Sequence, residues 1–205
     1  MHDDMYAKLP SLVFGFHGCD RSIFDRVVRD GGELNNSEND YDWLGHGIYF
    51  WEQNIERAWE WANELRKRGK LENPAVIGAV IDLGYCLNLL DSRYINILKN
   101  HFIYFRELMT FLNKPMPENK NIGGNSDLLL RNLDCAVIQH LHVTASIENE
   151  LEFDSVRGLF REGEPIYPSA GFYEKTHIQI CIRNKNCIKG YFSPRDVIDD
   201  EFAIL

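Results

Sequence analysis

Long apolar runs are missing from this 205-residue chain, and none approaches the roughly 20 residues that a membrane-spanning helix needs. Residues 1–10 (MHDDMYAKLP) also lack the basic and apolar regions of a secretory signal, so a cytoplasmic location is expected, with no membrane partner. The five cysteines (19, 86, 135, 181 and 187) are scattered, odd in number and without a CxxC pair. That argues against a disulfide framework or a zinc site and for reduced thiols. Neither GxGxxG nor GxxxxGK[ST] occurs, so the usual phosphate-cradling loops are absent. The block GHGIYF (45–50) does not replace them, because its second glycine opens a strand and leaves no helix amino terminus facing a phosphate. Positive charge is scarce as well: 22 Lys and Arg against 31 Asp and Glu give a net charge of −9, a field that repels nucleic acid. The one dense basic cluster, Arg66, Lys67, Arg68 and Lys70, reads as the solvated end of a helix, where cations complement the dipole.

What is present is ordinary globular material, 44% hydrophobic and 26% charged, at a length that suits one domain over residues 1–205. Residues 12–17 (LVFGFH) read as a buried strand ending at a ligand. Asp20 or Ser22 can cap a short helix over residues 22–29, which Gly31 and Gly32 stop. Residues 35–42 are polar and turn-rich, and 47–51 (GIYFW) form a second strand. Asn54 can cap a helix running to about Gly69, with Trp59, Ala62 and Leu65 on its apolar stripe and Trp61 off it. Residues 76–83 (VIGAVIDL) are apolar at nearly every position, the pattern of a central strand. Helical patterns cover 92–112 and 126–142, separated by a loop or lid candidate over 113–125. Residues 153–160 and the alternating 176–183 (THIQICIR) read as strands. Residues 187–192 (CIKGYF) should complete a hairpin with the latter across a turn at 184–186. The sum is an α+β domain, with short strands in two sheets and four main helices around them.

Taken singly, His17-Gly18 at a strand end and Tyr49 within an apolar strand are more often structural than functional. Taken in order they carry more: His-Gly on one strand, a helix and a loop, then Gly45-His46-Gly47-Ile48-Tyr49-Phe50 and a further helix. This combination resembles the poly(ADP-ribose) polymerase-like branch of the ADP-ribosyltransferases, over residues 12–62 and, more loosely, 176–192. The resemblance implies an ADP-ribosyltransferase-like split β-sheet core with flanking helices and NAD+ as co-substrate. It further implies that His17 bonds the adenosine ribose, that Gly18 offers its main-chain N–H and C=O to the nicotinamide amide, and that Tyr49 stacks on the nicotinamide ring. Trp61 is placed to close the other side of that ring, with Trp59 in the core, and His46 stands where the family often has a basic residue that contacts the phosphates.

The family's third triad position, a Glu, falls on Gln179, so the triad reads H-Y-Q, with His177 on the same strand face and Glu174 just upstream. Cleaving the nicotinamide–ribose bond passes through an oxocarbenium-like state, which a nearby negative charge stabilises. Gln179 can orient a ribose hydroxyl but brings no charge. A carboxylate is therefore expected to reach the site, with Glu174 the first choice and Glu52 and Asp154 behind it. In this family, replacement of the Glu goes with single-unit transfer, so the resemblance implies mono-ADP-ribosylation of an intracellular macromolecule, protein or RNA. Small cytosolic members of this kind resemble the toxins of toxin–antitoxin and phage-defence systems, which implies a neutralising antitoxin protein. Two other readings use the same pocket: an NAD+ glycohydrolase, and a catalytically inactive NAD- or ADP-ribose-binding module, for which Gln179 is the argument.

Overall fold

The computed structural model describes residues 12–122 and 127–195. Among these residues nine strands and four α-helices follow one another: β1 (Val13–Asp20), α1 (Arg21–Phe24), β2 (Ile48–Glu52), α2 (Ile55–Lys67), β3 (Pro74–Ile81), β4 (Cys86–Asn88), α3 (Ser92–Phe111), β5 (Asn119–Lys120), β6 (Leu130–Arg131), α4 (Asn132–Ile147), β7 (Ser155–Phe160), β8 (His177–Ile182) and β9 (Ile188–Phe192). Seven strands form one mixed sheet in the order β4-β7-β8-β2-β1-β3-β9, and β5 and β6 make a separate ribbon. Only β4 and β7 run parallel; the other neighbours are antiparallel. The architecture is α+β.

Local chemistry sets most boundaries. Asp20 accepts from Ser22 N and caps α1, which continues as a turn of π-helix through Arg29. Asn54 accepts from Arg57 N at the start of α2, as its position before the apolar periodicity predicts. The three long helices share one ending. Gly69, Asn113 and Asn149 adopt positive φ, and the paired bonds Lys70 N to Leu65 O with Gly69 N to Arg66 O recur as Lys114 N to Met109 O with Asn113 N to Thr110 O, and as Glu150 N to Ala145 O with Asn149 N to Ser146 O. That is the Schellman pattern, in which two otherwise unpaired carbonyls are satisfied.

One face of the sheet packs against Phe24, Val27 and Leu34, burying Ile48, Phe50, Ile77, Ile180 and Ile182. The opposite face carries two clusters: Leu44, Leu87, Tyr94, Ile138 and Cys181 under α3 and α4, and Trp51, Ala58 and Val76 under α2. All five cysteines are free thiols buried in these layers. Among the described residues no helix is long and apolar enough to cross a membrane.

Four sequence expectations need correction. The strands expected as a hairpin, residues 176–183 and 187–192, do not pair: β8 lies between β7 and β2, while β9 crosses to the far edge and pairs with β3. The helix expected over 126–142 begins at Asn132 and runs to Ile147. Leu130 and Arg131 are drawn into the ribbon with β5, and the Asn119 side chain accepts from Leu133 N at 2.9 Å and Asp134 N at 3.2 Å, capping α4 from outside the helix. The loop expected over 113–125 therefore contains a strand; Asn125 and Ser126, where that loop was to end and the helix to begin, lie outside the described residues. Trp59 is not in the core: it is 39% exposed, and the buried stripe of α2 is Arg57, Ala58 and Ala62.

Candidate functional site

The sheet is nearly severed between β1 and β2. β1 pairs with β3 along its whole length, from Val13 with Ile81 to Asp20 with Pro74, yet it meets β2 only at Gly15 with Glu52 and Phe16 with Trp51. Just outside those pairs, Gln53 N donates to Phe14 O at 2.9 Å. Main-chain groups alternate sides along an antiparallel ladder, so Phe14 and Phe16 direct N–H and C=O towards β2, and Gly18 comes next in that series. Its counterpart would be Tyr49. Instead the Tyr49 carbonyl accepts from the Nδ1 of His17 at 2.8 Å, and the N–H and C=O of Gly18 face the gap where the ladder has ended. Gly18 is buried there, with no room for a side chain, because a Cβ would overlap the Ala58 carbonyl of α2.

The donation to Tyr49 O places the proton of the neutral imidazole on Nδ1 and leaves Nε2 with a lone pair. Burial lowers the pKa of His17, so the ring is uncharged at neutral pH, with the Tyr49 bond opposing that shift. The side chains of His17 and Tyr49 sit on different faces: His17 lies 5.9 Å from Phe50, whereas Tyr49 packs beside Leu44 and Cys181. The Tyr49 hydroxyl donates to Gly45 O at 2.6 Å and accepts from Leu44 N at 2.8 Å, and burial raises its pKa. Tyr49 thereby fixes the turn that leads into its own strand. His46 is held in that turn by its main chain, its N donating to Gln139 Oε1 at 3.0 Å and its O accepting from Arg183 at 3.3 Å.

Beside this seam lies a polar cluster under α2 and the β7–β8 loop. Phe16, Trp51, Gln179 and Gly158 form one row across four strands. One step along β8 from Gln179, His177 is 4% exposed and is ringed by Trp43, Trp51 and Phe160 at centroid distances of 6.4, 6.5 and 6.0 Å. Its Nδ1 lies 2.6 Å from Lys175 O, and its Nε2 lies 3.2 Å from Gln179 Nε2 and 3.6 Å from Glu162 Oε1. Burial holds its pKa down to about 4. Glu162 also reaches the buried Arg57 at 3.3 Å, and Arg57 pairs with Glu60. Burial raises the Glu162 pKa, against the pull of Arg57. Trp61 stands 6.2 Å from Trp51, lining the same region. The indole Nε1 of Trp51 and the Nε of Arg57 are buried without a hydrogen-bond partner among the described residues, and buried donors of this kind call for an explanation.

The structure thus brings Gln179 and His177 together and sets Trp61 near them, but turns Glu174 elsewhere. Glu174 is exposed and its carboxylate accepts from Glu164 N at 3.3 Å, within its own loop. The two reserve carboxylates are also committed. Glu52 holds Arg157 at 2.5 and 2.8 Å, and Asp154 accepts from Tyr85 N and Asn184. The carboxylate that does reach the cluster is Glu162, which sequence reasoning passed over along with Arg57 and Trp43. A charged residue inside the apolar face of α2 was the available signal for Arg57. Among the described residues no group of three or more His, Cys, Asp or Glu could hold a metal ion.

No protein-family model matches the chain, and no solved structure matches it. It is 26% identical to a protein of Methanocaldococcus jannaschii whose name says only that it is uncharacterized, over 85% of this chain and 83% of that protein.

Proposed function

We propose that the protein is a mono-ADP-ribosyltransferase that takes ADP-ribose from NAD+ and transfers it to an intracellular macromolecule. The observation that carries this reading is the seam itself. A glycine whose main-chain N–H and C=O come next in the series directed at β2, beyond the last β1–β2 pair, suits a planar carboxamide, which needs one acceptor and one donor side by side. The parting of β1 and β2 fits a split-sheet transferase core, and the order His17, Gly18, Tyr49 follows the family's motif. The free Nε2 of His17 suits a ribose hydroxyl.

Transfer breaks the C1′–N bond of the nicotinamide riboside and forms a new bond from C1′ to a nucleophile on the acceptor; the acceptor's proton leaves to solvent or base, and nicotinamide departs neutral. Positive charge builds on the ribose on the way. Gln179 supplies an acceptor for a ribose hydroxyl in that state, and Glu162 supplies nearby negative charge, partly offset by Arg57. Trp51 and Trp61 provide aromatic surface beside the same strand row. The toxin-like reading and a neutralising antitoxin rest on the resemblance alone.

Incubating the purified protein with NAD+ labelled in its ADP-ribose portion, together with protein and RNA fractions of a cell extract, tests the reading. Label fixed to a macromolecule is expected. Free ADP-ribose alone would mean hydrolysis, and NAD+ binding without nicotinamide release would mean an inactive binding module. Full activity in both His17→Ala and Tyr49→Ala would show that the pocket lies elsewhere.

A further inference from the structure

We propose that His177 is a positioning residue that fixes which end of the Gln179 amide faces the substrate; this rests on the transferase reading above. A glutamine is ambiguous at such a site, since a flip of its amide exchanges an acceptor for two donors. The contacts around His177 remove that ambiguity. Lys175 O, 2.6 Å from Nδ1, has only lone pairs to offer, so Nδ1 carries a hydrogen. The side chain is fully shielded from solvent and packed among Trp43, Trp51 and Phe160, surroundings that disfavour a second proton.

The charged groups facing the ring come from three elements. Arg57 and Glu60 project from α2, Arg131 from β6, and Glu162 from the β7–β8 loop; the two arginines oppose protonation, and Glu60 favours it. Nε2 is therefore an acceptor, and the Gln179 nitrogen 3.2 Å away donates to it. The Gln179 carbonyl oxygen is then the end of the amide turned away from the histidine. A neutral side chain is made to present only acceptor lone pairs, which is the part of a carboxylate's work that needs no charge. The same bond explains why a buried histidine sits two residues before Gln179 on the same face of β8.

The test is nicotinamide release from NAD+ under steady-state conditions by wild type, His177→Phe and His177→Gln. Phe keeps an aromatic ring among Trp43, Trp51 and Phe160 but offers no acceptor; Gln restores one near the position of Nε2. His177→Phe is expected to lower kcat by roughly 10- to 100-fold with KM for NAD+ little changed, as misplacement of a reacting group does, and His177→Gln to recover most of the loss. Equal rates in all three would overturn the proposal while leaving the transferase reading intact; a wild type that neither binds nor turns over NAD+ would remove both. Nitrogen NMR of the wild-type imidazole provides a readout independent of any variant. It should show His177 protonated at Nδ1 and bare at Nε2 at neutral pH, and the opposite tautomer would overturn the assignment.

Discussion

The ring of His17 takes the place of a peptide group: its Nδ1 donates to the Tyr49 carbonyl at 2.8 Å, where the ladder between β1 and β2 would otherwise have continued through Gly18. One side chain thereby ends the pairing, holds the two halves of the sheet in register and frees the glycine next to it. A motif of adjacent His and Gly has a structural reason to be adjacent, quite apart from any ligand. His17→Ala should release the Tyr49 carbonyl into a buried gap, costing about 1–3 kcal/mol of stability. His17→Asn, whose amide N–H can reach the position of Nδ1, should recover part of that loss. Urea unfolding of the three proteins measures both.

Gly18 is required by packing as well as by the seam. A Cβ there would overlap the Ala58 carbonyl and press on Ala62, so Gly18→Ala forces α2 away from β1. A shift of this kind costs typically 1–3 kcal/mol, and because α2 also carries Trp61 and Arg57, NAD+ affinity should fall by more than the stability loss alone explains. Isothermal titration on the folded variant at a temperature well below its midpoint separates the two effects. An unchanged melting midpoint would contradict the packing described.

Tyr49 has two separable parts. Tyr49→Phe removes the bonds to Gly45 O and Leu44 N and should lower stability by about 1–3 kcal/mol, while keeping the ring that the family resemblance assigns to nicotinamide stacking. NAD+ affinity should therefore survive in Phe and be lost in Ala. If Phe loses affinity as fully as Ala, the tyrosine acts by shaping the turn at Leu44 and Gly45, not by stacking.

Much of the fold was legible because its signals are local. Asp20 and Asn54 cap where a short polar side chain precedes an apolar periodicity, and Gly69 stops α2 where a left-handed residue is needed. Asn149 would have been readable in the same way at the end of α4. What could not be read depends on distant partners. The β8–β9 hairpin was inferred from a short turn, yet β9 is claimed by β3, where the Phe192 ring fills the space over Gly78. The start of α4 is set by Asn119, across the segment that precedes it. The carboxylate of the cluster was sought at Glu174 because that residue is close in sequence to Gln179, whereas Glu162 arrives by pairing with Arg57, 105 positions away in the chain.

Glu162→Gln tests that carboxylate directly. The substitution keeps the volume and removes the charge, leaving Arg57 with Glu60 as its remaining partner. Stability should fall by about 1–3 kcal/mol, below the cost of stripping a buried ion entirely. Nicotinamide release should fall as well, because the oxocarbenium-like state loses the negative charge assigned to stabilise it. Glu174→Gln, at an exposed loop position, should leave release by the isolated enzyme unchanged. Equal loss in both variants would return the role to Glu174.

Acid should destabilise the protein through its buried histidines. Burial holds His142 and His177 at about 4 in the folded state, against roughly 6.5 in an unfolded chain. Between those values the unfolded chain binds protons that the folded protein refuses, so the stability these residues contribute is complete above pH 6.5 and is lost as the pH falls towards 4. Each contributes on the order of 3 kcal/mol at full effect. His142 is the harder of the two to protonate in place, because its Nδ1 already bonds Ile138 O and its Nε2 is buried with no partner to receive a charge. His17, His101 and His140 shift in the same direction. Glu162 runs the other way: its raised pKa means that the folded state takes up a proton the unfolded chain has already released, which offsets part of the loss as the pH drops. The large shifts of His142 and His177 carry the balance. Urea midpoints measured from pH 7 to pH 4 should therefore decline throughout that interval, and His142→Gln should flatten the decline even if it lowers stability at pH 7. A midpoint that holds level down to pH 4.5 would show that these rings take up protons in the folded protein over the same range as in an unfolded chain.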